Sequence, residues 1–316
     1  MLRPKHHALT ANTPSSRKKV SADMSQPGTE AQRSPERAGN EAVPGPRARP
    51  VRHFGQWIVA AVVAYYFAGL LYSLYENKNI DHSVIGDYLV QSAIMDSLFT
   101  TLKISIVSAL LGCVLGVVIA VCRLSGNRIL AYVSWLYIWF FRGSPLLVQL
   151  LIWGNFALLF KHVGLGLPFT DVTFFSFDTN TVITPFVAAV LGLGLNEGAY
   201  MAEVVRGGIL AVGPGQVEAA KALGMGSLQT TRRIVLPQAL RVIIPPTGNQ
   251  FINLIKASSL VSVIAGGDLL TSAQTISSLN LKTIELLTVA TFWYLVIVTA
   301  ASIGQYFLER RVGRGR

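Results

Sequence analysis

Long apolar stretches recur along this 316-residue chain, and they constrain its fold more than any other feature. About 20 consecutive apolar residues in a helix are enough to cross the hydrocarbon core of a bilayer. Hydrophobic residues make up 51% of the chain, and only 14% of its residues are charged. The pattern predicts an all-α, polytopic helical membrane protein and argues against a soluble globular one.

We predict six membrane spans, which would place both termini on the same side of the membrane. The spans lie near residues 57–75, 98–121, 129–160, 183–210, 242–264 and 286–307, and the third is interrupted at 142–145.

The distribution of Lys and Arg predicts which side of the membrane each connection faces. Basic residues concentrate at 1–52, 123–128, 211–241 and 310–316, and an excess of Lys and Arg is typical of cytoplasmic segments. The opposite segments, 76–97, 161–182 and 265–285, carry more Asp and Glu than Lys. The net charge of +11 therefore reflects topology, and no nucleic-acid partner is expected.

Three regions follow from this layout. Residues 1–53 lack an apolar run and are predicted to be a disordered, basic, cytoplasmic tail without a cleavable signal peptide. Residues 54–92 supply an extra N-terminal transmembrane helix and an outer, periplasmic segment, and residues 93–312 form the main transmembrane domain. Translation from Met24 rather than Met1 is equally compatible with this composition.

A polar interlude at 211–241 separates the fourth and fifth spans. Gly213-Pro214-Gly215 is suited to begin a helix, and Gly224 to end it in a left-handed conformation. Ser227 is predicted to cap a second short helix, and Pro237 to break or kink the chain before the next span. We therefore predict a cytoplasmic helix–turn–helix hairpin, although composition alone also allows an amphipathic loop on the membrane surface.

Residues of the interlude stand at the spacing of a known signature loop. They are Glu218, Ala219, Ala220, Gly224, Ile234, Leu236 and Pro237. On these residues the chain resembles the membrane subunits of binding-protein-dependent ABC importers. The stretches 141–149, 199–208 and 249–260 are similar to the polar amino acid permeases, of histidine and glutamine type, and the resemblance covers about 93–312.

The resemblance implies a permease core of five helices, with the span at 57–75 added in front, in the inner (cytoplasmic) membrane of a bacterium. It implies that a coupling helix around 216–225 docks into a separate ABC ATPase. The implied coupling residues are Glu218, Ala219, Ala220, Gly224, Leu236 and Pro237. Further implied partners are a second ATPase subunit, a second permease subunit of the same or a different kind, and a periplasmic or extracellular solute-binding protein.

This chain lacks a Gly-x-x-x-x-Gly-Lys-Ser/Thr phosphate loop, so we do not expect it to hydrolyse ATP or to be an enzyme by itself. ATP and Mg²⁺ are expected on the partner ATPase. The two Cys and five His form no metal-binding pattern, so no cofactor or metal is expected in this chain.

Polar and ionisable residues inside the predicted spans point either to an aqueous path or to the bundle interior, because they are costly in lipid. The candidates for the translocation path are Asn196, Glu197, Tyr200, Asn253, Lys256 and Ser259. Glu197 is equally compatible with a hydrogen-bonding role inside the bundle. Lys256 is suited to attract a substrate carboxylate, but a pair with Glu197 is the favoured interpretation.

Three further residues are candidates for structural or gating roles. Glu203 and Arg206 are three residues apart on one helix and are predicted to form an ion pair. Arg142 lies at the interruption of the third span and is predicted to satisfy carbonyl groups exposed there, with a gating part as the alternative.

Two other functions remain open at this stage. A secondary, ion-coupled amino acid carrier would need inverted repeats, and the sequence has no convincing second copy of its helix breaks. An ABC importer for a related solute, such as an opine or cystine, fits the same residues, as does an ABC-associated subunit that does not transport.

Overall fold

The computed structural model describes residues 54–166 and 173–313, so the predicted tail at 1–53 lies outside the described residues. In chain order the elements are α1 Phe54–Tyr75, α2 His82–Leu89, α3 Ser92–Leu124, α4 Arg128–Gly143, α5 Leu146–Gly154, α6 Phe156–Leu159, β1 His162–Gly166, β2 Thr173–Asp178, α7 Thr179–Val182, α8 Pro185–Leu210, α9 Pro214–Ala222, α10 Ser227–Thr230, a π-helical turn Thr231–Val235, α11 Leu236–Ala257, a 3-10 turn Ser258–Ile264, α12 Leu269–Asn280 and α13 Thr283–Gly313. The predicted helical membrane architecture is confirmed.

The helices that could cross a membrane correspond to the predicted spans. α1, α3 and α13 are long and apolar enough to cross singly, and two bent pairs qualify as broken spans. α4 and α5 meet at 98°, and the run Ser227–Ile264 meets α12 at 44°. α8, the fourth predicted span, has 26 residues, with Glu197, Glu203 and Arg206 among them. The count of six and the cytoplasmic placement of both termini stay predictions.

Contacts divide the chain after Val63, so the described part of the first unit is only the first turns of α1. In the second unit, three clusters of buried apolar side chains hold the helices together. One joins α3, α11, α12 and α13; another joins α3, α5, α8, α11 and the 3-10 turn; the third joins α3, α8 and α11 at the base of the polar interlude.

Glycines bring α3 and α8 into close contact. A Cβ atom added at Gly112 would lie 2.7 Å from Glu197 Cγ, and one added at Gly116 would lie 2.4 Å from Met201 Cβ. Small residues spaced four apart allow two membrane helices to approach at backbone distance. Gly112 and Gly116 therefore set the separation of α3 and α8.

The segments on the predicted outer side are more ordered than the sequence pattern suggested. β1 and β2 form an antiparallel hairpin in which Leu165 pairs with Phe175, and the sequence analysis missed it. α12 lies where only a connecting segment was expected, with Leu269 and Ala273 buried in the core.

α2 is fastened to the start of α13 by polar contacts. The Asp81 backbone N–H donates to Glu285 Oε1 at 3.0 Å, and Lys282 Nζ lies 3.3 Å from Asp81 Oδ2. The Ser83 hydroxyl and the Lys282 ammonium hold the pKa of the Asp81 carboxyl below its usual value. These contacts fix the outer ends of the helices that enclose the core.

Candidate coupling surface and translocation path

The interlude is anchored to three membrane helices by apolar side chains. Val212, which follows α8, is buried together with Ala120 of α3 and with Ala239 and Ile243 of α11. Gly208 allows this approach, since a Cβ atom there would lie 2.3 Å from Ile243 Cγ1. The base of the interlude is therefore packed against α3, α8 and α11.

The first helix of the interlude ends as the sequence predicts. Gly224 is left-handed, with a φ of 77°. The Met225 N–H donates to the Ala220 carbonyl at 3.0 Å, and the Gly224 N–H donates to the Lys221 carbonyl at 2.9 Å. These two bonds form a Schellman motif, which satisfies the last carbonyl groups of a helix. α9 is thus a short helix with a fixed end.

The remaining coupling candidates are distributed over both sides of this hairpin. Ala220 is buried, whereas Glu218 and Ala219 are exposed, and Leu236 and Pro237 lie exposed at the start of α11. At the tip, Leu223 and Leu228 are 81% and 82% exposed. The sequence analysis did not single out these two leucines, although apolar residues on both sides of a turn in a polar loop were a usable signal. The role of the surface stays a prediction.

Two predictions for the second half of the hairpin are wrong. Ser227 does not cap a helix, because Gly226 occupies the capping position and no side chain makes a capping hydrogen bond. A break at Pro237 is also wrong, since α10, the π-helical turn and α11 follow one another without interruption, while the alternative, a kink, stays a prediction. Pro237 lies in the first turn of α11, where proline is tolerated, and Gln238 Nε2 donates to the Ile234 carbonyl at 3.0 Å.

α11 carries an exposed polar face inside a membrane span. Asn253 and Lys256 are exposed and Ser259 is half-buried, and their spacing of three residues places them on neighbouring positions of the helical surface. Asn253 Nδ2 donates to Gln250 Oε1 at 3.5 Å, and the Ser259 hydroxyl donates to the Lys256 carbonyl at 2.8 Å. The Lys256 ammonium is thus left on the surface of a single chain.

Asn196 belongs to α8, and its side chain reaches the break between α4 and α5. Asn196 Nδ2 donates to the Phe141 carbonyl at 2.8 Å, as does Gln149 Nε2 at 3.0 Å. Gln149 Nε2 also donates to the carbonyl and the hydroxyl of Ser144, at 3.1 and 2.8 Å. The sequence analysis gave Gln149 no role, although an amide four residues after a proline break is suited to this one.

Arg142 does not have its predicted task, because the carbonyl groups at the break are satisfied by those two amides. The Arg142 guanidinium instead lies over the ring of Tyr200, 5.1 Å from its centre. The predicted ion pair of Glu203 and Arg206 is confirmed, with Oε2 and Nη2 at 2.7 Å. Arg142, Tyr200, Glu203 and Arg206 line one cavity.

Glu197 and Lys256 do not form the predicted pair. Within residues 54–166 and 173–313, the ion pairs are those of Arg206 with Glu203 and of Lys282 with Asp81. Glu197 is only 8% exposed and lies against Gly112, whereas Lys256 is exposed. The pairing fails because Glu197 faces the neighbouring helix α3 and not the polar face of α11.

The part of the chain that the structure describes contains no group of three His, Cys, Asp or Glu side chains arranged to hold a metal ion. The expectation that ATP and Mg²⁺ bind a partner stays a prediction.

Comparisons with known proteins all identify membrane components of transport systems as relatives. Residues 112–314 match the family model for the binding-protein-dependent transport system inner membrane component. An arginine transport system permease protein of Corynebacterium glutamicum is 42% identical over 269 residues, covering 85% of this chain and 83% of its own. An L-cystine transport system permease protein of Bacillus subtilis is 37% identical over 219 residues, covering 69% and 85%.

Among solved structures, a chain of an amino acid ABC transporter with histidines is 34% identical and superimposes with a TM-score of 0.60, covering 69% of this chain and 94% of its own. The arginine permease is similar over more than the membrane core. Its match of 269 residues begins before α1, because fewer residues than that run from Phe54, where α1 begins, to the end of this chain. α1 therefore lies within the shared region.

Proposed function

The chain belongs to the family of binding-protein-dependent transport system inner membrane components, and from this we propose that it is the permease subunit of an ATP-driven importer of polar amino acids. The chain is not an enzyme by itself, and ATP hydrolysis belongs to a separate subunit of the transporter. The bacterial inner membrane is the location that this family membership supports.

The proposed importer contains two permease subunits, two ATPases and an external solute-binding protein. The exposed polar face of α11, with Asn253 and Lys256, carries this proposal. Polar side chains facing lipid are costly, so a second permease subunit that covers this face and encloses water against it is favoured. The path would then run along α11, where the two subunits meet.

Arginine or a similar cationic amino acid is the cargo that the comparisons favour. Of the two relatives described, the arginine permease has the higher identity and its match covers more of this chain, including α1. The free α-carboxylate of an amino acid is suited to pair with the Lys256 ammonium on the exposed face.

The hairpin is suited to pass motion from an ATPase to this path. Leu223 and Leu228 offer apolar contacts at its tip, and the Schellman motif keeps α9 from fraying. The base is packed against α3, α8 and α11, so movement of the tip displaces the helix that carries Lys256.

Reconstitution tests the proposal. The chain is placed in proteoliposomes with its cognate ATPase and binding protein, and uptake of labelled arginine is measured with ATP supplied either on the side of the membrane that carries the ATPase or on the opposite side. We expect ATP-dependent arginine uptake that glutamine and cystine inhibit weakly. Uptake of glutamine or cystine in preference to arginine would overturn the cargo, while uptake driven by an ion gradient without ATP would overturn the importer.

A further inference from the structure

A cavity of about 510 Å³ opens between α3, α4 and α8, away from the exposed face of α11. Its lining is unusually basic and aromatic for a membrane domain. The lining residues are Arg123, Trp135, Ile138, Trp139, Arg142, Gly143, Tyr200, Glu203 and Arg206.

The charges around this cavity do not balance. Arg206 is neutralised by Glu203, with which it forms two close contacts at 2.7 and 3.1 Å. Arg123 donates to the Ala131 carbonyl at 3.1 Å, and Arg142 lies over the Tyr200 ring, so neither of these contacts supplies a negative charge. Three guanidinium groups and one carboxylate leave two positive charges on helices that cross the membrane.

The parts of α3 and α8 that line the cavity lie toward the predicted cytoplasmic ends of these helices, whereas Arg142 and Gly143 lie at the end of α4 that is opposite its predicted cytoplasmic start. Arg123 is next to the last residue of α3, and Arg206 is in the last turns of α8, just before the interlude. Trp135 and Trp139 are 41% and 60% exposed, and their rings stack with centres 6.3 Å apart. Exposed tryptophans are typical of the level of the lipid headgroups.

We propose that this cavity binds a phosphate group, and that the headgroup of an acidic phospholipid from the cytoplasmic leaflet supplies it. Arginine side chains present planar pairs of N–H donors that match phosphate oxygens, and basic pockets between membrane helices bind lipid headgroups. A phosphodiester there offsets one of the two excess positive charges of Arg123 and Arg142, while Trp135 and Trp139 contact the adjoining part of the lipid.

Native mass spectrometry of the purified chain tests the proposal, with phosphatidylglycerol and phosphatidylcholine added separately. We expect the wild-type chain to retain phosphatidylglycerol preferentially, and Arg142→Gln to weaken that preference about five-fold. Arg128→Gln is the matched control, because it removes an exposed cytoplasmic arginine that does not line the cavity. Equal losses in the two variants would overturn the site.

Two further variants separate charge from misfolding. Arg142→Lys keeps the positive charge and is expected to retain more of the lipid preference than Arg142→Gln. The double variant Glu203→Gln/Arg206→Gln removes one charge of each sign, and we expect its preference to stay close to that of the wild type. A loss in this double variant as large as in Arg142→Gln would overturn the argument from net charge.

Competition with inorganic phosphate identifies the source of the phosphate group. If excess inorganic phosphate displaces neither lipid and the chain still prefers phosphatidylglycerol, the result supports a lipid headgroup as the source of the phosphate group. Saturable binding of inorganic phosphate that Arg142→Gln abolishes, without any lipid preference, would overturn the lipid as the source. Absence of both kinds of binding would overturn the site, and none of these measurements depends on transport or on ATP.

Discussion

At the scale of single residues, the polar side chains within the predicted spans divide between two tasks. The side-chain amides of Gln149 and Asn196 donate hydrogen bonds to a backbone carbonyl group at the break between α4 and α5. Asn253 and Lys256 stay exposed on α11. The first pair stabilises an irregular backbone inside the membrane domain, which needs internal partners there, and the second is available to water and cargo.

Lys256→Met is expected to lower arginine uptake about ten-fold, because a hydrogen bond to a charged group contributes about 1.5 to 3 kcal/mol. Basal ATP hydrolysis by the assembled importer should persist, since Lys256 lies near the end of α11, about 30 Å along the helix from Leu236 at the hairpin. Lys103→Met is the matched control, as this lysine is also exposed on a membrane helix. Uptake that falls equally in both variants would contradict a specific role for Lys256.

Gly224→Ala is expected to loosen the end of α9. The alanine Cβ meets no atom within 4 Å, so the cost arises from the left-handed backbone alone and is about 1 kcal/mol. Hydrogen exchange of the 214–225 segment should accelerate about five-fold, as 1 kcal/mol corresponds to that factor. Gly215→Ala is the control: it also has free space, lies within α9, and should slow exchange or leave it unchanged.

Local spacing explains which residue-level predictions succeeded. Gly224 and the Glu203–Arg206 pair depend on neighbours within one helix, and both are as predicted. The pairing of Glu197 with Lys256 required the relative rotation of α8 and α11, which no short stretch of sequence specifies. Gln149 was missed because its partners, Phe141 and Ser144, become reachable only through the sharp bend between α4 and α5.

At the scale of elements, glycines position the helices that the coupling hairpin moves. Gly112 and Gly116 hold α3 against α8, and Gly208 holds α8 against α11 at the base of the hairpin. Contacts through glycine leave little room for sliding, because the opposing atoms already lie close to the backbone. α3, α8 and the first half of α11 are therefore expected to move together.

Gly208→Ala tests this packing. Its Cβ would lie 2.3 Å from Ile243 Cγ1 and 3.3 Å from the Ala239 carbonyl oxygen, and overpacking of this kind costs about 1 to 3 kcal/mol. We expect a lower melting temperature in detergent and weaker stimulation of the ATPase by the loaded binding protein. The adjacent Gly207→Ala meets no atom within 4 Å and should preserve both properties. Identical behaviour of the two variants would contradict the packing role.

Element boundaries were less predictable than element types. The apolar runs located the membrane helices, since hydrophobic length is a property of the local sequence. Pro237 was expected to break or kink the chain, but α10, the π-helical turn and α11 form a continuous helical run. The hairpin of β1 and β2 was missed because its strands have only 5 and 6 residues, too few for a clear alternation of apolar and polar side chains.

At the scale of the whole molecule, one chain is half of the transport path that we propose. Apolar runs and charge asymmetry predicted the fold class and the side on which the hairpin lies, because both depend on composition along the chain. The face of α11 with Asn253 and Lys256 acquires its meaning only beside a second subunit, so one sequence cannot identify what it faces.

Chemical labelling tests the predicted topology. In a variant with Cys113 and Cys122 replaced by Ala, Ser176→Cys places a thiol on the exposed strand β2, and Leu228→Cys places one at the exposed tip of the hairpin. A membrane-impermeant maleimide should label Ser176→Cys from outside the cell and Leu228→Cys only in inverted vesicles. Labelling of both from the same side would contradict a single crossing of the membrane by α8 between β2 and the hairpin.

The π-helical turn Thr231–Val235 also determines the rotation of α10 and the hairpin tip about the axis of α11. A π turn contains one residue more than the α-helical turn it replaces, and each residue of an α-helix advances the direction of a side chain by about 100°. Deleting one residue from this turn would rotate α10 and the tip, with Leu228, by that amount about the axis of α11. The extra residue thus fixes the rotational orientation of the tip about the axis of α11. It does so without changing the face that α11 presents to its partner.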